Sequence, residues 1–136
     1  FSEDIKKVGD QDTAMFIMRS QKNVLIHINN SRRAVYGYDQ RLEIFGSKGM
    51  MISNNQSPTS VEVFDNQRTY ANDLIHFFFI ERYDQAYKDE LNDFVNTLEN
   101  KNTPSVTFED GRNALILANA AYESFDSGKS IKVRFK

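Results

Sequence analysis

The sequence predicts an α+β domain, built as a mostly antiparallel open β-sheet with helices packed on one face and the other face used for oligomerisation. Three observations carry this. Up to about residue 70 the apolar side chains come in short runs, several of them alternating with period two. From Phe77 to Phe125 they recur every three or four positions, and from Ser130 to Phe135 they alternate again. Strands gathered first, then two helices, then one returning strand is the order of an α+β layer pair.

Each element has a local reason. "TAMFIM", Thr13 to Met18, and "NVLIHI", Asn23 to Ile28, are short, apolar and rich in β-branched types, and the polar "RSQK" between them is of hairpin length. "RLEIFG" places Leu42 and Ile44 on one face and Arg41, Glu43 and Phe45 on the other, and "GSKG", Gly46 to Gly49, turns the chain into "MMIS". "SVEVF", Ser60 to Phe64, alternates and runs into the turn signal "DNQ". Ile80, Tyr83, Tyr87, Leu91, Phe94, Val95 and Leu98 then line one side of a helix from Phe77 to about Glu99, which "NKNTP" breaks. Thr107 with Asp110 three residues later predicts a capping box. Ala114, Leu117, Ala118, Ala121, Tyr122 and Phe125 form a narrow apolar stripe, and Gly128 stops the second helix. "SIKVRF", Ser130 to Phe135, is the expected final strand.

The first strand carries apolar side chains on both sides, at Met15, Phe16, Ile17 and Met18. A sheet apolar on its second face usually buries that face against another protein surface, so assembly or docking is expected there.

Composition closes off several classes of function. A chain of 136 residues holds one domain, and 17 basic against 19 acidic side chains leave a net charge of -2, with no excess to hold a nucleic acid. No run approaches the roughly 18 apolar residues of a membrane span, and "FSEDIKKVGD" lacks the apolar centre of a secretory signal. The absence of cysteine removes disulfides and thiol nucleophiles, and two histidines, His27 and His76, make no zinc site; no metal is expected, and a cytoplasmic address fits. "GSKG" lies between strands and opens no helix, so it cradles no phosphate. Both histidines read as structural, and no catalytic set emerges.

The stretch "NNSRRAVYGYDQR", Asn29 to Arg41, is harder to explain as packing. If it is extended, Tyr36 and Tyr38 project from one face, and Gly37 between them permits close backbone approach. With Arg32, Arg33 and Asp39 nearby, the phenols give a dense array of donors and acceptors suited to a polyhydroxylated ligand. Tyrosine and arginine are equally at home in a subunit contact, and residue types alone leave both readings open.

"NNSRRAVYGYDQRLEIFGSKGMM" strongly resembles the C-terminal half of inositol 2-dehydrogenases of the glucose-fructose oxidoreductase / inositol dehydrogenase family. "GDQDTAM", "FIERYDQAYKDELNDFV" and "DGRNALILANAAYES" look like the corresponding parts of those enzymes, from about Gly9 onward. The resemblance implies an NAD-dependent enzyme that moves a hydride from a ring carbon of myo-inositol, or a related cyclitol or sugar, to the nicotinamide. It implies residues 1–10 as a connector from an N-terminal Rossmann domain outside this chain, and residues 11–136 as the C-terminal substrate-binding and oligomerisation domain. In such enzymes the dinucleotide loop, a lysine in a Glu-Lys-Pro motif and an aspartate and histidine for proton removal all lie upstream. None is present here, so the expected catalytic, cofactor and metal residues number none and the piece alone is expected to be inactive. Carried onto the matching motif, the substrate-binding residues are Tyr38, then Tyr36, with Arg32, Arg33 and Asp39 either touching substrate or holding the loop. A polyol or sugar and further copies of the chain, a tetramer in the complete protein, are the implied partners. The alternative is a non-catalytic oligomerisation or sugar-binding module of the same fold.

Overall fold

A computed structural model describes residues 2–135. The elements run α1 (Glu3–Lys7), β1 (Thr13–Arg19), β2 (Leu25–Ser31), β3 (Leu42–Gly46), β4 (Gly49–Ser53), β5 (Glu62–Val63), β6 (Ala71–Asn72), α2 (Phe79–Asn100) and α3 (Phe108–Ser127). The α+β order is as expected. The strands form three two-stranded ladders, β1 with β2, β3 with β4 and β5 with β6, where one continuous sheet was expected. The chain divides into two compact units, residues 1–15 with 29–87 and residues 16–28 with 88–136.

In the first unit the local chemistry is explicit. Leu42↔Ser53, Ile44↔Met51 and Gly46↔Gly49 face one another across β3 and β4, and Phe45↔Met50 and Glu43↔Ile52 lie on the opposite face, so the hairpin is apolar on both sides. The anticipated strand at Ser60 to Phe64 shrinks to Glu62–Val63, because Asp65 turns the chain at once: its Oδ1 accepts the N–H groups of Gln67 and Arg68, both at 2.8 Å. The first turn of α2 is held by Glu81, whose carboxylate accepts from the N–H groups of Phe77 (3.2 Å) and Phe78 (3.4 Å). The N-terminal piece read as a connector contains a single helical turn and a half, α1.

In the second unit, residues 20–24 explain why β2 starts at Leu25 instead of Asn23. Ser20 Oγ accepts from the N–H groups of Lys22 (3.2 Å) and Val24 (3.1 Å), and Asn23 takes the left-handed conformation that asparagine tolerates. Helix α3 starts as predicted. Thr107 Oγ1 accepts from the Asp110 N–H, the Asp110 carboxylate accepts from the Thr107 N–H, and Gly128 ends the helix at φ 64°. The expected final strand is a correction: residues 130–135 lie in no ladder. Alternation fits them to a sheet edge, but a strand exists only where a neighbouring edge offers its N–H and C=O groups.

No apolar side chain among the described residues is buried; only the residues Ser2, at 8% exposure, and Gly37 are. On β1 Ala14, Phe16 and Met18 are half-buried, while Met15 (69%) and Ile17 (84%) stand in solvent. Leu91, Phe94 and Leu98, the expected core stripe of α2, are also exposed.

Candidate functional site

The site grows from Gly37. Its φ of 134° is unfavourable for any residue with a side chain, and a Cβ there would sit 2.5 Å from Ile75 Cγ1 and 3.1 Å from the His76 carbonyl oxygen. This close approach lets the Tyr38 N–H donate to the His76 carbonyl at 2.9 Å, while the His76 N–H donates to the Gln56 carbonyl at 2.9 Å. Both of these His76 bonds are made by its backbone. His27 lies exposed on β2.

The two tyrosines that flank Gly37 have different surroundings. Tyr36 is 56% exposed and its hydroxyl donates to Asp39 Oδ2. Asp39 also accepts from Arg41 Nε (2.8 Å), Arg41 NH2 (2.9 Å) and Asn55 Nδ2 (2.8 Å). Arg41 first, then Tyr36 and Asn55, hold the Asp39 carboxyl well below the usual carboxylate range. The same bond to Asp39 raises the pKa of Tyr36.

Tyr38 is half-buried and its ring meets Tyr83 edge-on, with centroids 5.7 Å apart. Tyr83 meets Tyr87 in the same manner at 6.3 Å. Burial first, and then a hydrogen bond with Tyr38, push the Tyr83 hydroxyl up. Arg82 places its guanidinium carbon 5.6 Å from the centre of the Tyr83 ring, and its Nε is buried without a partner. Three phenols, of Tyr38, Tyr83 and Tyr87, and the Arg82 cation therefore gather at the first turns of α2, beside the turn at Gly37.

The five residues singled out from sequence do not form one cluster. Arg32 turns to the N-terminal segment: its guanidinium pairs with Asp10, its Nε donates to the Gln11 carbonyl at 3.4 Å, and its N–H donates to the Asp12 carbonyl at 2.8 Å. Arg33 is exposed, with its backbone bonded to Ser31 Oγ. Tyr36 and Asp39 share one network, and Tyr38 joins Tyr83. Arg41, Asn55 and Tyr83 belong to the site and were not singled out. The i,i+2 spacing of Asp39 and Arg41 is a signal for the first, whereas Asn55 and Tyr83 come from distant sequence.

The only glycine-spaced stretch, Gly46 to Gly49, closes the β3–β4 hairpin and opens no helix. The described residues contain no cluster of carboxylate or imidazole groups fit for a metal, and no described helix is long and apolar enough to cross a membrane.

Residues 2–133 match the family model described as "Oxidoreductase family, C-terminal alpha/beta domain". Over 96% of its length the chain is 43% identical to a myo-inositol 2-dehydrogenase of Thermotoga maritima, of which it covers 39%. A myo-inositol dehydrogenase structure from Corynebacterium glutamicum superposes with a TM-score of 0.92 at 45% identity, over 98% of this chain and 40% of that one. A scyllo-inositol dehydrogenase from Lactobacillus casei, solved with bound NAD(H) and scyllo-inositol, superposes with a TM-score of 0.82 at 26% identity, over 93% of this chain and 37% of that one. The chain thus spans about two fifths of the length of these relatives. Sequence, fold and motif agree that it belongs to this oxidoreductase family, as part of the C-terminal alpha/beta domain.

Proposed function

We propose that the chain supplies substrate-binding surface to an NAD-dependent dehydrogenase that oxidises a ring hydroxyl of myo-inositol or a closely related cyclitol. The observation that carries this is the Tyr38–Tyr83 pair, two half-buried phenols in contact, which between them keep one hydroxyl proton and their acceptor lone pairs for a polyol hydroxyl. The inositol dehydrogenases at 43% and 45% identity support the substrate class, and the NAD(H)-bound relative supports the cofactor.

Residues 11–136 then act as the C-terminal domain and residues 1–10 as its connector. The dinucleotide site and the groups that remove the hydroxyl proton belong to the remaining three fifths of the enzyme, and this chain alone is inactive. The polyol's other walls come from there as well. Tyr36, Arg32 and Arg33 stand further from this role than Tyr38: the Tyr36 proton is committed to Asp39, and Arg32 ties the turn to residues 10–12. Met15 and Ile17 suit a contact with a second copy, giving a homo-oligomer, a tetramer in the complete protein, because both are large, apolar and exposed on one face of β1. A cytoplasmic setting belongs to this reading, since the enzyme draws on a diffusible NAD pool.

In the full-length enzyme, Tyr38→Phe is expected to lower kcat/KM for myo-inositol by about 1 kcal/mol, roughly fivefold, the worth of one hydrogen bond. Steady-state kinetics with NAD checks this. Unchanged kcat/KM removes Tyr38 from the substrate site.

A further inference from the structure

We propose that Asp39 and Asn55 are positioning residues, which fix the backbone on the C-terminal side of Tyr38 so that its phenol is set for the polyol; this rests on the substrate role of Tyr38 proposed above. An ionised carboxylate offers about four acceptor positions. At Asp39 four donors use them: Tyr36 Oη, Arg41 Nε, Arg41 NH2 and Asn55 Nδ2. No position is left for a substrate hydroxyl, so Asp39 holds the loop and does not read the ligand.

Asn55 completes the device from the other side. Its Nδ2 donates to Asp39 Oδ1 and its Oδ1 accepts the Gln40 N–H, both at 2.8 Å, so a single amide pins two consecutive residues after Tyr38. Before Tyr38, Gly37 packs against Ile75, and at Tyr38 itself the N–H is held by His76. The main chain is thereby fastened before, at and after the tyrosine. A phenol that must meet a ring hydroxyl of the cyclitol within a few tenths of an ångström gains from such fastening, since small misplacements of a contacting group are costly to rate. The network is also electrostatically closed, because the Arg41 cation neutralises the Asp39 anion it chelates.

The test is a double-mutant cycle in the full-length enzyme with myo-inositol and NAD. Asn55→Ala is expected to lower kcat/KM about threefold to fivefold, chiefly through KM, with Tyr38 intact, and less than about twofold in a Tyr38→Phe background, because the positioned hydroxyl is already gone. Asp39→Asn, nearly isosteric, repeats the cycle should Asn55→Ala fold poorly, and urea unfolding of each variant is measured alongside. Equal fold-losses in both backgrounds, or no loss in either, overturn the positioning role. A silent Tyr38→Phe overturns the substrate reading underneath it instead, so the two failures are distinct.

Discussion

Gly37→Ala is expected to be the most damaging single-methyl change in this chain. At φ 134° an alanine is strained by backbone sterics alone, and its Cβ would overlap Ile75 Cγ1 at 2.5 Å while the His76 carbonyl stands 3.1 Å away. Ile75 can yield by changing rotamer, but the carbonyl is backbone and holds Tyr38. Backbone strain of about 1–3 kcal/mol and overpacking of a similar size together put the cost on the order of 3 kcal/mol. Two measurements on the full-length enzyme check this: a fall of several degrees in Tm, and a loss of kcat/KM for myo-inositol larger than that of Tyr38→Phe. An alanine variant with native Tm and activity would show that segment 75–76 does not press on the turn.

The second large effect concerns the 136 residues expressed by themselves. Large side chains such as Ile17, Phe45, Leu91 and Phe94 are all exposed, and no apolar residue among those described is buried. Fixing a residue's backbone costs roughly 1–2 kcal/mol of conformational entropy, which burial of apolar surface at about 25 cal/mol per Å² must offset. With apolar side chains at most half-buried, that compensation is small. The isolated chain is therefore expected to bind hydrophobic dyes strongly and to lose its circular dichroism gradually on heating, with no cooperative transition. The same residues within the full-length enzyme are expected to melt cooperatively. A sharp transition for the isolated chain would contradict the exposure of these faces.

The contrast between what was and was not legible follows from range. The capping box at Thr107 and Asp110, the stop at Gly128 and the Asp65 turn are each complete within a few residues, so a one-dimensional reading finds them. The β3–β4 hairpin is likewise local, its register set by a two-residue turn. Residues 130–135 alternate as a strand should, yet they lie in no ladder, because pairing is a property of two segments and only one is written in "SIKVRF". Helical spacing places Tyr83 on the apolar side of α2, and spacing cannot tell a ring bound for a core from one that meets another tyrosine. Asn55 has no signature at all; its importance arises from two bonds to residues 15 and 16 positions away.

The chelated carboxylate of Asp39 also bears on how the assembled enzyme responds to acid. A carboxyl whose folded pKa lies below its unfolded value of about 3.9 adds stability that is present above that value and is lost only as pH falls through the folded one. Across the neutral range the Asp39 carboxylate thus keeps one fixed charge. Any inflection in a pH–rate profile there reports ionisations other than Asp39, whose anchoring of the turn is unchanged by proton activity in that range.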